Sequence, residues 1–384
     1  MGWNSWYCYW DAVTDEQMRR AADAVVKTDL INHGYVYVNI DDGWAMKPKS
    51  PDPRLGGPER DDAGKVNSNA KFPDMKAMTD YIHALGLKAG IYTSPGPLTC
   101  AGYVGSYEHE AEDAARFTEW GFDFLKHDWC SYGKIAKDKS LQELQKPYRL
   151  MGNLLKQQKR DIVYNLCQYG MGDVSAWGAD VGANCWRTAG DLGSQTELYD
   201  GLLADGFKLD GKEQWVRPGA YNDPDYLQVG PLYRGARGPR KLLPSPMTPD
   251  EQYTHMSLWC LLAAPLFIGG DVADLDEFTI ALLSNDEVIE VDQDPLCQQA
   301  HRIATRGDTQ IWAKEMEDGS RAVGLFNIGT SAADAQANWS ELGLNGSHRV
   351  RDLWRQRELG QIENEFRTKV PAHGVVLVRI FAKE

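Results

Sequence analysis

The sequence predicts a (β/α)8 TIM barrel followed by a small C-terminal antiparallel β-sandwich domain, on three observations. Short apolar strands alternate with helical stretches through the first 295 residues, the texture of a parallel sheet whose strands are buried on both faces. Eight such strand segments can be counted, the number that closes a barrel. After Pro295 the pattern changes to short strands separated by turn-rich stretches, which reads as antiparallel β structure. The expected division is therefore a barrel over 1–295 and a β-sandwich over 296–384. An open, doubly wound sheet is the competing α/β architecture. It calls for a G-x-G-x-x-G phosphate turn after an early strand, and the sequence has none.

Each element has a local reason. A first strand is expected at Met1–Asn4. The stretch "TDEQMRRAADAVVKTDLINHG" has a helical period, with Thr14 as N-cap and Gly34 as stop, and runs into the β-branched and aromatic strand "YVYVNIDDGW". The segment from Lys47 to Pro73, rich in Pro, Gly, Asp and Asn, is a long loop, and loops of that length in compact domains usually serve function. Helix then strand recurs in "DMKAMTDYIHALG" before "LKAGIYTS", in "HEAEDAARFTEWG" before "FDFLKHD", and in "LQELQKPYRLMGNLLKQQKR" before "DIVYNLC". The strand ends "NCWRTAGD" and "GAYNDPD" follow, and "PDEQYTHMSLWCLLAAP" leads into "LFIGGD". The later strands are "TQIWAKEM", "RAVGLFNIG", "HRVRDLW" and "GVVLVRI".

Composition narrows the function classes. With 42% hydrophobic and 25% charged residues over 384 positions, the chain can bury a large core. No apolar run is long enough for a membrane helix. A formal charge of −14 excludes a nucleic-acid partner, which needs a basic face. No segment resembles a signal peptide, yet "MGWNSW" reads as the interior of a fold, which points to a removed leader. The seven cysteines are scattered, with no CxxC pair and no zinc-type Cys/His spacing, so neither a structural metal nor a cofactor is expected.

The chemistry lies at the strand ends. In a barrel these converge on one mouth, and here they carry Trp6; Asp41, Asp42 and Trp44; Tyr92; Lys126 and Asp128; Cys167 and Gln168; Arg187 and Asp191; Asp223 and Asp225; and Asp271. For a single Asp the alternative is a helix N-cap, which fits Asp271 and Asp223 as well as a functional role does. So many carboxylates at one mouth are costly unless cations or a substrate engage them. A divalent metal site would use oxygen ligands, but Lys126 lies two residues from Asp128 and so on the same strand face, and no strand end supplies a His ligand. A nucleophilic Cys130 or Cys167 would need a neighbouring His, and His127 faces away from Asp128. Glycoside hydrolysis needs one carboxylate as nucleophile or base, a second carboxyl as proton donor, and further polar groups on the sugar hydroxyls. The strand ends meet that demand.

The blocks "MGWNSW", "IDDGW", "KFPDM", "KHDWC", "WRTAGD", "YNDPDYL", "AAPLFIGGD" and "VDQDPL", in this order, resemble the signatures of glycoside hydrolase family 27, the α-galactosidase and α-N-acetylgalactosaminidase family. The resemblance covers nearly the whole chain, because the later strands are similar to that family's C-terminal sandwich. It implies a retaining double displacement with Asp128 as nucleophile and Asp191 as acid/base. Further matches are Arg187 as a substrate-binding residue and Asp41 and Asp42 as acceptors for O4 and O6 of galactose. Trp6 and Trp44 match rings against the sugar's apolar face, with core packing as the alternative, and Tyr92, Lys126, Cys130 and Asp225 match other substrate-binding positions. It also implies a Cys100–Cys130 disulfide beside the nucleophile and, with it, a secreted or periplasmic enzyme acting on α-galactoside oligosaccharides, polysaccharides or glycoconjugates. The family commonly reads the substituent at sugar C2 with a Cys-Glu-Trp run after the fifth strand. This chain has "CQYGMG", with Gln168 for Glu and Tyr169 for Trp. Specificity for N-acetylgalactosaminides, β-L-arabinopyranosides or isomaltose-type glucans therefore stands beside α-D-galactosides. A carbohydrate-binding protein without catalysis is the other class, and the presence of both carboxylates argues against it.

Overall fold

The computed structural model describes residues 1–192, 198–233 and 241–381. Its first sheet has eight strands: β1 (Gly2–Asn4), β2 (Tyr37–Asn39), β3 (Lys88–Thr93), β4 (Phe124–Asp128), β5 (Val163–Cys167), β6 (Cys185–Arg187), β7 (Tyr221–Asp223) and β10 (Phe267–Ile268). A short antiparallel hairpin, β8 (Pro231–Tyr233) and β9 (Leu242–Pro244), is inserted before the last of them. The order is β10-β1-β2-β3-β4-β5-β6-β7, so the last strand lies beside the first, as in a barrel. The described pairings within this sheet are parallel.

The strands are shorter than the apolar runs suggested, because each run continues past its ladder into the turn that carries the polar residues. Between them lie helices α1 (Trp6–Tyr9), α2 (Asp15–Lys27), α3 (Met75–Ala84), α4 (Glu110–Trp120), α5 (Leu141–Leu155), α6 (Leu198–Gly201) and α7 (Pro249–Leu261), followed by α8 (Glu277–Leu283) and α9 (Asp286–Asp292). Thr14 caps α2 in a reciprocal box with Gln17. The helix ends at Lys27 rather than at Gly34. Asp29 takes a left-handed φ of 64°, and a single 3-10 turn over Leu30–His33 reaches Gly34, whose φ of 91° favours glycine.

The later strands are β11 (His301–Arg306), β12 (Thr309–Glu315), β13 (Arg321–Asn327), β14 (Ala333–Asn338), β15 (Ser347–Asp352), β16 (Arg357–Glu363), β17 (Glu365–Val370) and β18 (Val375–Ile380). They form an antiparallel six-stranded sheet, β11-β12-β13-β18-β15-β16, and a two-stranded sheet, β14-β17. Ile311, Val323, Leu325, Ala337, Trp339, Val350, Phe366 and Val378 fill their shared core. Four of these strands, β11, β14, β16 and β17, are too polar to stand out in the sequence; "HRIATR" and "RELGQIE" are mostly exposed.

The chain falls into two compact units. One comprises Met1–Gly190, Gln228–Ser245 and Phe267–Asp276; the other comprises Asp191–Leu227, Pro246–Leu266 and Glu277–Glu384. The second unit includes β7 and α7 together with all the antiparallel strands after Pro295. Among the described residues, no helix is long and apolar enough to cross a membrane.

Candidate active site

In the first unit the site is built from the ends of β2, β3, β4 and β5. The register aligns Tyr92 with Lys126 and Asp128 with Cys167. Because side chains alternate along a strand, Lys126 and Asp128 share one face while His127 takes the other. His127 is fully buried, its Nδ1 meets the Tyr164 hydroxyl at 2.7 Å, and burial pushes its imidazole down to about 3, so it is neutral and remote from thiol chemistry.

Asp128 is held at both carboxylate oxygens. The Trp129 backbone N–H and the Tyr169 hydroxyl each donate to Oδ1 at 2.7 Å, and the Tyr92 hydroxyl donates to Oδ2 at 3.1 Å. Burial, together with the Asp128 charge, raises the Tyr92 phenol well above its ordinary range, so Tyr92 keeps its proton and remains a donor. The same hydroxyl lies 3.1 Å from Cys130 Sγ. Cys130 is disulfide-bonded to Cys100, and this ties the turn after β4 to the loop after β3. The other five cysteines are thiols. One group of potential metal ligands among the described residues, Cys100, Asp128 and Cys130, has both its sulfurs committed to that disulfide.

Lys126, on the same strand face as Asp128, makes a direct ion pair with Asp41. Lys126 Nζ donates to Asp41 Oδ2 at 2.8 Å, with side-chain exposures of 7% and 2%. Strand β2 has ended two residues before Asp41, so Asp41 and Asp42 are free of strand alternation. Asp42 accepts from Gly43 N–H and Thr99 Oγ1 at Oδ1 and from Ala101 N–H at Oδ2, at 2.7–2.8 Å. Burial nevertheless pushes its carboxyl up to about 7. The long loop supports this turn from behind: Asn69 Nδ2 donates to the carbonyls of Gly43 and Ala45.

Several expected contacts are placed differently. Trp44 is 2% exposed and packs edge-on to Phe117 and Trp120 of α4, while its Nε1 donates to Tyr92 O, so it braces the tip of β3 as a core ring. Trp6 is partly exposed and stacked on Trp10 with ring centroids 5.8 Å apart. The Gln168 amide is turned back on its own loop, accepting from Met171 N–H at 2.5 Å and donating to Met171 O at 2.9 Å. Tyr169, which the sequence offered only as a replacement for Trp, is the residue of that loop that reaches Asp128. The signal for it was the pair Tyr169-Gly170, just past a strand end, with a glycine able to turn the chain. Arg187 is buried and its Nη2 donates to the carbonyls of Ala189 and Gly190.

In the second unit Asp191 is partly exposed. Its neighbour Leu192 donates its N–H to Asp225 Oδ2 at 2.8 Å, and Asp225 Oδ1 accepts from Tyr226 N–H at 2.7 Å. Asp225 is fully buried with φ 112°, a strained backbone for a non-glycine residue, held by Trp259 Nε1 on its carbonyl. It thus fixes the backbone beside Asp191. Asp223 accepts from Asp225 N–H. In the first unit, Asp271 caps the turn at Ala273 and pairs with Arg20. For Asp271 the capping role is the one seen, whereas the Asp223 contact lies within the turn after β7.

A carboxylate clamped between phenols at the tip of a barrel strand, beside a second acid neutralised by a buried lysine, suits attack on a sugar's anomeric carbon. Such a fold and mouth define a barrel glycoside hydrolase. Comparison with known proteins narrows the class. A family model described as Alpha galactosidase A matches residues 1–294, and one described as Alpha galactosidase C-terminal beta sandwich domain matches 306–380. Alpha-galactosidase 2 of Arabidopsis thaliana is 37% identical over 379 residues, covering 97% of this chain and 87% of that protein. The crystal structure of alpha-galactosidase I from Mortierella vinacea is similar with a TM-score of 0.86 at 32% identity, over 99% of this chain and 96% of that one. A β-L-arabinopyranosidase from Geobacillus stearothermophilus is similar with a TM-score of 0.83 at 25% identity, over 100% and 96%. The chain belongs to glycoside hydrolase family 27.

Proposed function

We propose that this enzyme removes terminal α-D-galactosyl residues with retention of configuration, Asp128 acting as nucleophile and Asp191 as acid/base. The observation that carries the reading is the Asp128 carboxylate, oriented by Tyr92, Tyr169 and the Trp129 N–H at the end of β4. In the first step an Asp128 oxygen bonds to C1 as the C1–oxygen bond to the aglycone breaks, and Asp191 gives its proton to the departing oxygen. In the second, water attacks C1, its proton passes to Asp191, and the electron pair of the ester bond returns to Asp128. Asp42, anchored by three protein donors, and the Lys126-paired Asp41 are fixed acceptors for the sugar's O4 and O6 hydroxyls, and an axial O4 is told from an equatorial one by such fixed acceptors. Arg187 and Trp6 complete the sugar site in this reading. The Cys100–Cys130 bond fits an exported enzyme, secreted or periplasmic, because disulfides persist in oxidising compartments.

The arabinopyranosidase neighbour keeps a second substrate in view, since β-L-arabinopyranose is α-D-galactopyranose without C6. A panel of nitrophenyl glycosides (α-galactoside, α-N-acetylgalactosaminide, β-L-arabinopyranoside) separates the substrates, with the α-galactoside expected to give the highest kcat/KM. A fluorinated galactosyl donor that forms a slowly hydrolysed ester should label the peptide containing Asp128, and Asp128→Asn should abolish turnover while retaining galactose binding. Full activity in that variant would remove Asp128 from the mechanism.

A further inference from the structure

Resting on Asp128 as nucleophile, we propose that Tyr169 is a positioning residue whose hydroxyl governs how the reaction divides between forming the galactosyl-enzyme and releasing it. Tyr169 Oη donates to Asp128 Oδ1 at 2.7 Å, a shorter contact than that of Tyr92 to Oδ2. The loop is built to hold this phenol. Tyr169 has φ 63°, a left-handed conformation that a bulky residue rarely takes, and such strain concentrates where geometry serves function. Gly170 follows at φ 81°, bonded through its N–H to Arg187 O, and a Cβ there would stand 2.2 Å from Thr188 O, so only glycine fits the turn. Gln168 closes the other side with both its amide groups on Met171.

A donor on a carboxylate stabilises its charge. In the first half-reaction that charge is spent as the oxygen bonds to C1, so the Tyr169 hydrogen bond opposes attack. In the second the charge is regenerated as the C1–oxygen bond breaks, so the same bond assists departure. Tyr169 therefore shifts barrier from the second step to the first. It keeps the galactosyl-enzyme short-lived, and without its hydroxyl the ester accumulates.

The test is Tyr169→Phe, which keeps the ring, assayed with a dinitrophenyl α-galactoside whose good leaving group makes ester hydrolysis limiting. The expected result is a kcat lowered about tenfold, as for loss of one charge-assisted hydrogen bond, with KM lowered by more than that, kcat/KM raised because attack is no longer opposed, and a burst of dinitrophenol. Replacing Tyr169 with 3-fluorotyrosine, a stronger donor of nearly the same shape, should raise kcat and raise KM further, so that kcat/KM falls, and keeps the test available should the Phe variant fail to fold. Unchanged kcat and KM, or a fall in kcat/KM with no burst, overturns the inference, because a purely structural role produces no accumulated ester. Mass spectrometry of the accumulated species separates the two readings. A label on a peptide without Asp128 defeats the nucleophile assignment, whereas a label on Asp128 with unaltered partitioning defeats only the role of Tyr169.

Discussion

Asp42 shows how one carboxylate serves two masters. Three protein donors favour its ionised form, while near-complete burial disfavours charge and wins, holding the carboxyl up at about 7 against an ordinary 3.8. An acid whose affinity for the proton is higher in the fold than in the unfolded chain stabilises the fold when protonated. That contribution is full below about pH 3.8 and is lost as pH rises through about 7. Asp292, buried and likewise pushed up to about 7, shares the trend. The wild-type protein should therefore lose stability between pH 4 and pH 8 more steeply than Asp42→Asn, measured by urea denaturation at each pH. Parallel profiles would mean that Asp42 binds its proton equally in both states. The identities of Asp41, Asp42, Lys126, Asp128 and Arg187 were legible because each sits one to three residues past an apolar run, whereas the partner of each was not. Lys126 found Asp41, in a turn 85 positions away in sequence.

At the level of elements, the turn after β4 and the loop after β3 are joined by Cys100–Cys130, a bond closing a span of 30 residues. Loop-closure entropy puts its worth at about 3–4 kcal/mol. Reduction, or the paired change Cys100→Ser with Cys130→Ser, should lower the free energy of unfolding by about that amount. It should also lower kcat, since Cys130 lies against the Tyr92 hydroxyl that holds Asp128. A reduced enzyme with wild-type kcat would show that the phenols position Asp128 without help from the bridge. Elements with strong periodicity were readable in advance, α2 with its cap at Thr14 among them, whereas the caps of α5 at Ser140 and of α7 at the Thr248–Glu251 box emerged with the structure. Strands β14 and β17, which among the described residues pair with each other alone, carry too many polar residues for their pattern to be recognised before the pairing is known.

At the level of the molecule, α7 belongs by sequence to the barrel half but is packed within the second unit. Thr254 donates to His373 O, Trp354 donates to Ser257 Oγ, and His373 meets Glu251 at 2.6 Å. Ten of its thirteen residues are buried, so it has almost no face suited to water. A chain ending at residue 295 should therefore fail to reach a cooperative fold, shown by loss of near-ultraviolet circular dichroism and of activity together. A soluble, active fragment 1–295 would show that α7 can be satisfied without the strands that follow it. The net charge of −14 acts at this scale too, fitting a neutral sugar substrate better than an anionic one.

By itself the sequence determined the alternation of strands and helices, the change of texture near Pro295, and the kind of residue at each strand end. These follow from local periodicity and from residue order, which a reader of the chain can see. Tertiary structure decided which groups meet: Lys126 with Asp41, Tyr169 with Asp128, Gln168 with its own loop, and Trp44 with the core. Those pairings depend on parallel register and on left-handed turns, where small backbone rotations choose between partners that the sequence presents as equals.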